Sequence, residues 1–499
     1  MKRKAPFTIF MNSLTDGQQE KVRAFLGCFQ EHLDMPRSEE KMIIDDARNA
    51  LMYVAGTGAD LDEAMHRLSG ENLGGFYAHE AHAWYPLDDA AKIYPISMRF
   101  GRMPMFRLSC YLRQAVVPEL LQLALDFTIR RFPSFATIVR KGMFWHYLDS
   151  VKRRFSITKD EGVPCRPLRI TSVGFQSFKV LYHENRISCE FFHVLTDGNG
   201  GLVFLKTLVA EYLRLTGVST EGAYGEGLFD PNSIVRSSEL SNDFERFCPH
   251  TAKTGGFLGR AAMQMSGKLS RHVPCKVVQI VYDTQKLLDL AHDKGITVTA
   301  LVLTLMFMAQ RTSTELTGGK IQIQVPVNMR KFFPDSHSVR NFSMYCSIDL
   351  DVESVETLEG TAAIVTKQLA ERSTLDEMSM MMTSARKLVR SLRFVPLAVK
   401  APLARTIYGF IGDNRFSNTL SNLGNIKMPD CLAQHILGFD FILGTCVVSR
   451  ASCSLCSFGG NTVLSVSKNT KDPSFEEALR RLSDQLGLEP DVMESPFYE

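Results

Sequence analysis

Apolar positions along the chain fall into two textures: a helical one at the N-terminus, then alternating strand and helix patterns. Val22, Phe25, Leu26 and Phe29 recur at helical spacing, as do Ile43, Ile44, Ala47, Leu51 and Met52. Asp60 with Glu63 three residues on predicts an N-cap and capping box for a short helix over Leu61–Leu68, and Leu73-Gly74-Gly75 then breaks the pattern. From about residue 85 the texture changes. Met105 to Tyr111 alternates as a strand, and Pro118 to Arg130 carries Leu120, Leu121, Leu123, Ala124 and Phe127 as a helix. Phe178, Val180 and Tyr182 share one strand face, and Glu184-Asn185 supplies a turn. The next strand sets Ile187, Cys189, Phe191 and His193 on one face, and a helix follows from Gly200 to about Thr216.

Residues of about 218 to 272 are less regular, rich in Gly and Ser, and read as a connection with a short helix near Gly259 to Leu269. The α/β texture then repeats. A strand over Cys275 to Tyr282 leads to helices over Gln285 to Lys294 and Thr297 to Gln310. Strands are expected at Lys320 to Val327 and Asn341 to Leu350, helices over about 356 to 390, and strands near 418–423, 436–448, 452–458 and 462–467. Gly459-Gly460-Asn461 reads as a hairpin turn, and a helix over about 474–486 closes the pattern. The expected division is a helical extension over 1–78, a first lobe over 79–235, a linker over 236–272 and a second lobe over 273–499.

Composition narrows the class of partner. With 499 residues, 45% hydrophobic and 22% charged, the chain is globular and long for one domain. Its net charge of +3 lacks the basic excess of a nucleic-acid binder. Eleven scattered cysteines in so long a chain read as reduced thiols, not a disulfide scaffold. The apolar stretch Phe7 to Met11 is too short for a secretory signal. The longer runs Ala300 to Ala309 and Leu392 to Ile411 are too short to span a membrane or carry Arg393, Lys400 and Arg405. The expected location is cytoplasmic. The basic, apolar segment Arg393 to Arg405 reads first as a solvated helix face, with an acceptor entrance or a membrane contact as the other readings.

Most motif candidates fail on spacing. Ala55-Gly56-Thr57-Gly58-Ala59-Asp60-Leu61 begins like a dinucleotide fingerprint, but Leu61 stands where the third glycine belongs, between two helical patterns. No Gly-Lys-Ser/Thr phosphate loop or Gly-x-Ser-x-Gly elbow occurs. His79 and His82 are one residue too close for the helical zinc pattern. Cys453 and Cys456 have a CxxC spacing, but on a strand they face opposite ways and read as small core residues. The sharp feature is Phe191-Phe192-His193-Val194-Leu195-Thr196-Asp197-Gly198-Asn199-Gly200, where a strand-end histidine is followed by an acidic, glycine-rich turn into a helix. It reads either as a core histidine beside an Asx turn or as a partly desolvated imidazole suited to general-base work near neutral pH. Gly198 and Gly200 would let a substrate approach the backbone.

That stretch resembles the His-x-x-x-Asp-Gly motif of the chloramphenicol acetyltransferase-like superfamily, which includes condensation domains, plant BAHD acyltransferases and bacterial alcohol acetyltransferases. Trp84-Tyr85-Pro86-Leu87-Asp88 with Ala90-Ala91-Lys92-Ile93-Tyr94-Pro95 looks like the start of the alcohol acetyltransferase type. Arg131-Phe132-Pro133-Ser134-Phe135 and Lys141-Gly142-Met143-Phe144-Trp145 agree with it. In the second half, Val325-Pro326-Val327-Asn328-Met329-Arg330, Arg340-Asn341-Phe342 and Ser421-Asn422-Leu423-Gly424 are similar to the family's patterns, so the resemblance covers about residues 84 to 480. It departs in two places. Condensation domains have a second histidine where this chain has Phe192, and the Asp-Phe-Gly-Trp-Gly motif of the plant enzymes is absent.

The resemblance implies an α/β fold of two lobes, each a mixed β-sheet with helices, set as a V with a tunnel at their interface. It implies acyl transfer from acyl-CoA as co-substrate to an alcohol or amine, with no bound cofactor, no metal and no acyl-enzyme. His193 would be the general base, and Asp197 would be structural, turned from His193 towards Arg330. The Gly198 amide and the hydroxyls of Thr419 and Ser421, which share a strand face, are candidate oxyanion or substrate donors. Arg340 and Lys331 read first as ordinary surface cations, with contact to CoA phosphates as the other reading. A carrier-protein thioester as donor, or a non-catalytic scaffold, are the alternatives.

Overall fold

The computed structural model of the chain describes residues 6–69, 84–98, 103–171, 173–225, 227–249, 261–272, 274–314, 318–411, 415–445 and 449–498. Leu73-Gly74-Gly75, His79, His82 and Gly259 lie outside the described residues. A five-stranded sheet runs, in spatial order, Ile436–Leu443, Met105–Leu112, Arg186–Phe192, Phe178–His183 and Ile157–Lys159. A seven-stranded sheet runs Ser343–Asp351, Lys320–Asn328, Asn418–Asn425, Ala451–Phe458, Asn461–Lys468, Lys276–Asp283 and Asp491–Glu494. Both are mixed: Ile157–Lys159 is parallel to its neighbour, and Asn418–Asn425 is parallel to the strands on both sides. A smaller four-stranded sheet, Trp84–Pro86, His146–Ser150, Thr137–Lys141 and Phe175–Gln176, is made of pieces too short to show a period.

The strand Ile436–Leu443 belongs to the second half of the chain, yet it pairs antiparallel with Met105–Leu112 and forms the edge of the first half's sheet. Ser454 Oγ and Cys456 Sγ on the neighbouring strand donate to the Phe441 and Phe439 carbonyls, so the two halves are stitched there. Local chemistry explains the main elements. Gly459 and Gly460 at φ 58° and 90° form the tight turn between Ala451–Phe458 and Asn461–Lys468, a conformation side chains disfavour. Pro118 opens the helix Pro118–Arg131 at a position whose N–H needs no partner. Cys453 and Cys456 are both fully buried in their strand, as small core residues.

The N-terminal helices Asp16–Glu31, Arg37–Gly56 and Leu61–Leu68 follow the sequence periodicity. Their apolar faces merge with the first half's core: Phe29 stacks on Phe127 at 6.1 Å, and the Arg154 guanidinium pairs with Asp46. The Gly56–Gly58 region is the turn between two of them. Capping differs in detail from expectation. Asp60 accepts from the Asp62 N–H, while Glu63 pairs with Arg67, and the reciprocal capping box is instead Thr15 with Gln18. No helix forms over Ala261–Leu269. Gly267 sits at φ 92°, the Met263 N–H donates to the Lys320 carbonyl at 2.8 Å, and Leu269 bridges to Thr470, so this stretch is edge packing. Among the described residues no single helix is long and apolar enough to cross a membrane.

Candidate active site

Where the strand Arg186–Phe192 ends, the His193 N–H donates to the Pro104 carbonyl at 2.9 Å, extending the pairing with Met105–Leu112 by one residue. The chain then turns at Leu195, whose N–H returns to Phe192, and enters the helix Gly198–Leu215. His193 thus stands one residue past the strand. Its ring packs against Tyr94 at 5.2 Å and meets Phe106 edge-on at 5.4 Å. Nδ1 is buried with no hydrogen-bond partner in normal geometry. Burial pushes the imidazole below its ordinary 6.5, opposed in smaller measure by the Asp197 charge and the ring's own backbone carbonyl.

That direction has a sign. A lowered folded-state value keeps the ring neutral at pH values where a free histidine is charging. Were this ring to accept a proton in a reaction, the acid limb of kcat/KM would fall below pH 6.5, and a limb above 6.5 would contradict this environment. By the same linkage the unfolded chain binds more protons, so stability rises with pH between the lowered value and 6.5.

Asp197 does not orient that imidazole. It is the N-cap of Gly198–Leu215, with Oδ1 accepting from the Gly200 N–H at 3.0 Å. Its Oδ2 accepts from Arg330 Nη1 at 2.7 Å and from the Phe342 N–H at 2.7 Å. Arg330 lies in a short turn after the strand Lys320–Asn328 and is itself held. Its Nε donates to the Ser338 carbonyl at 2.9 Å, its Nη2 to the Arg340 carbonyl at 2.6 Å, and Nη1 also reaches Asn328 Oδ1 at 3.2 Å. Asp197 therefore clasps the first half's motif to the second half, 133 residues apart in sequence.

Glycine use at the motif differs between the two positions. A Cβ on Gly198 would press on the flexible end of Leu423, at 2.9 Å, and otherwise make ordinary contact with the Phe441 ring at 3.8 Å. A Cβ on Gly200 would collide with the Val339 carbonyl and with Thr196 Oγ1. Gly200 is thus required by packing between the halves, not by approach of a substrate, which corrects the sequence expectation for that residue. Thr196 reinforces the seam by donating to the Val339 carbonyl at 2.7 Å.

His193, Asp197, Gly198, Thr419 and Ser421 all line one cavity of about 270 Å³, with walls from both halves of the chain. Arg330 stands behind Asp197, outside the lining. Thr419 Oγ1 donates to Gln324 Oε1 at 3.3 Å, leaving its lone pairs towards the cavity. Residues the sequence reading did not single out as site residues complete the lining: Tyr94, Met103, Gln324, Met344 and Tyr345 among them. Alternation on the Lys320–Asn328 strand could have pointed to Gln324, whose neighbours Ile323 and Val325 face the core. Tyr94 had no such signal, since its helix is only Ile93–Ser97. Arg340 is not free for phosphates: it is buried and donates to the Pro86 and Leu240 carbonyls, whereas Lys331 is exposed, beside Phe332.

The architecture is the mixed α/β fold of chloramphenicol acetyltransferase-like and condensation-domain proteins. A trichothecene 15-O-acetyltransferase from Fusarium sporotrichioides is similar at a TM-score of 0.53 and 12% identity, covering 82% of this chain and 95% of that one. Another Fusarium sporotrichioides protein, solved with coenzyme A and T-2, is similar at a TM-score of 0.54 and 11% identity, covering 82% of this chain and 99% of that one. The first condensation domain of the calcium-dependent antibiotic synthetase, solved with a substrate analogue, is similar at 0.53 and 13% identity, covering 83% and 100%. No family model and no curated protein matches the sequence.

Proposed function

We propose that the chain is an acyltransferase that moves an acyl group from an acyl-CoA thioester to a hydroxyl or amine acceptor, with His193 as general base. One observation carries this: a desolvated imidazole opens into a cavity walled by both halves, while the neighbouring carboxylate is spent on Arg330 and the backbone. An alcohol is a poor nucleophile until its proton is removed during attack. In this reading Nδ1 holds the ring proton beside the backbone carbonyl, and Nε2 takes the acceptor's proton as its oxygen or nitrogen bonds to the thioester carbon. The oxyanion so formed meets the Gly198 N–H at the helix start and the Ser421 hydroxyl, while Thr419, whose proton goes to Gln324, stays a substrate-facing acceptor. Collapse breaks the carbon–sulfur bond, and the leaving thiolate recovers the proton from His193. No acyl-enzyme is formed.

The cavity walls bear on the substrate. Met98, Met103, Met105, Met344, Phe106 and Phe441 make much of the lining apolar and adaptable, which favours an acceptor or acyl chain with an apolar body. The likeness to a protein solved with coenzyme A, and to a trichothecene 15-O-acetyltransferase, supports the donor and reaction class. The likeness to a condensation domain supports a second reading, a carrier-protein thioester donor. Against that reading, the position of the second histidine is Phe192, fully buried beside Phe175.

Incubation of the protein with acetyl- and longer acyl-CoAs and a panel of alcohols and amines, read by mass spectrometry, tests this directly. The expected result is free CoA and an acylated product, both absent when His193→Ala replaces the wild type. Turnover with a phosphopantetheine-loaded carrier but not with any acyl-CoA would transfer the assignment to the second reading. Product formed equally by His193→Ala would overturn the mechanism.

A further inference from the structure

The segment expected as a solvated helix face is not polar outward. In the helix Leu397–Ile411, Val399 and Leu403 lie four residues apart on one face and are 60% and 56% exposed. Phe394, just before that helix, is 72% exposed, and Met143, in the turn between the strands Thr137–Lys141 and His146–Ser150, is 73% exposed. These side chains are held together. The Leu397 N–H donates to the Met143 carbonyl at 2.9 Å, and the Phe144 and Phe394 rings meet edge-on at 6.4 Å. Lys400 pins the helix to the same turn, its ammonium over the Trp145 ring at 3.2 Å and donating to the Leu392 carbonyl at 3.1 Å. An apolar patch of this kind, built rigidly and left open to water, marks an interaction surface.

Charge says what covers it. From Met378 to Gly412 the chain has Arg386, Lys387, Arg390, Arg393, Lys400 and Arg405 and no Asp or Glu. Since the whole chain is only +3, the remainder is net negative and the basic excess is local. Lys387, Arg390 and Arg393 are exposed at the end of the preceding helix Leu375–Ser391 and just after it, at three-residue spacing. None of the three pairs with a carboxylate among the described residues. Arg393 lies over the Phe394 ring at 4.5 Å, so cation and apolar tip are presented side by side. Exposed aliphatic and aromatic tips rimmed by unpaired Lys and Arg match an anionic lipid interface: the tips enter the acyl boundary and the cations meet the headgroups.

We infer that this face, formed by the Met143 turn, Lys387 to Phe394 and the helix Leu397–Ile411, docks the protein peripherally on an anionic lipid surface. The helix packs on Ile93–Ser97, whose Tyr94 touches His193 and lines the cavity, so the lipid surface would lie one helix from the site. The inference does not depend on the acyl-transfer reading, and its test uses no catalytic readout.

Flotation of the full-length protein with phosphatidylcholine vesicles, with and without phosphatidylserine, is the experiment. Binding is expected with phosphatidylserine, weakened at least about tenfold without it and in high salt. Phe394→Ser/Val399→Ser/Leu403→Ser and Lys387→Glu/Arg390→Glu/Arg393→Glu should each lose binding, with circular dichroism spectra and melting temperatures like wild type. Failure of the wild type to float with phosphatidylserine vesicles, or full binding by the charge-reversed variant, overturns the proposal. So does a concentration-dependent dimer without lipid that the Phe394→Ser/Val399→Ser/Leu403→Ser variant abolishes, since a second copy of the chain would then own the patch.

Discussion

Replacing His193 with alanine is expected to lower kcat by about 10²–10⁴-fold while the protein stays folded. The loss follows from chemistry, because among the described residues the cavity lining holds no second histidine and no lysine or cysteine, and the Asp197 carboxylate is taken up by Arg330 and the Phe342 N–H. Fold retention follows from position. The imidazole borders an existing cavity and packs on only two rings, Tyr94 and Phe106, with Nδ1 unbonded. Truncation enlarges open space and breaks no side-chain hydrogen bond to another residue, so a cost of about 1–3 kcal/mol is expected. Steady-state kinetics beside a denaturation curve checks both halves. A variant that loses activity only because it unfolds, or one that keeps wild-type turnover, contradicts the assignment.

Asp197→Ala is expected to do the opposite, losing stability first and activity with it. The change removes the helix cap at Gly200, strands the buried Phe342 N–H and takes the carboxylate from Arg330. Breaking one side of a buried ion pair costs about 3–5 kcal/mol. Arg330 keeps its bonds to the Ser338 and Arg340 carbonyls, which places the expected loss in the lower part of that range. Asp197→Asn keeps an acceptor for the cap and should recover part of the stability. Urea unfolding of the two variants, read against activity at a temperature where both are folded, separates the roles. A fully stable Asp197→Ala variant would show that the clasp between the halves is not structural.

The contrast between these residues shows how far the sequence reading reached. His193, Asp197 and Gly198 are consecutive or nearly so, and a strand signal followed by a capping residue and glycines places them on one turn. The N-terminal helices, the Gly459-Gly460 hairpin and the long helices of the second half were equally legible, because each obeys a period or a turn rule within a few residues. The short strands of the four-stranded sheet were not, since two to five residues cannot display a period. The expected helix near residue 265 failed for a different reason: tertiary partners at Lys320 and Thr470 claimed the backbone at Met263 and Leu269.

By itself, then, the sequence determined the two α/β textures, the helical N-terminus and the turn that presents His193, all set by local periodicity and backbone chemistry. Only tertiary structure decided the rest. Gly200 is needed because the Val339 carbonyl arrives from the other half, and Ile436–Leu443 leaves its own half to complete the first sheet. Arg340, a surface cation by its letter, is buried against carbonyls, while Phe394, Val399 and Leu403, core residues by theirs, face water. The physical reason is common to all four. Which partner a carbonyl, a guanidinium or an apolar face meets is set by segments a hundred or more residues away, and no local period encodes that distance.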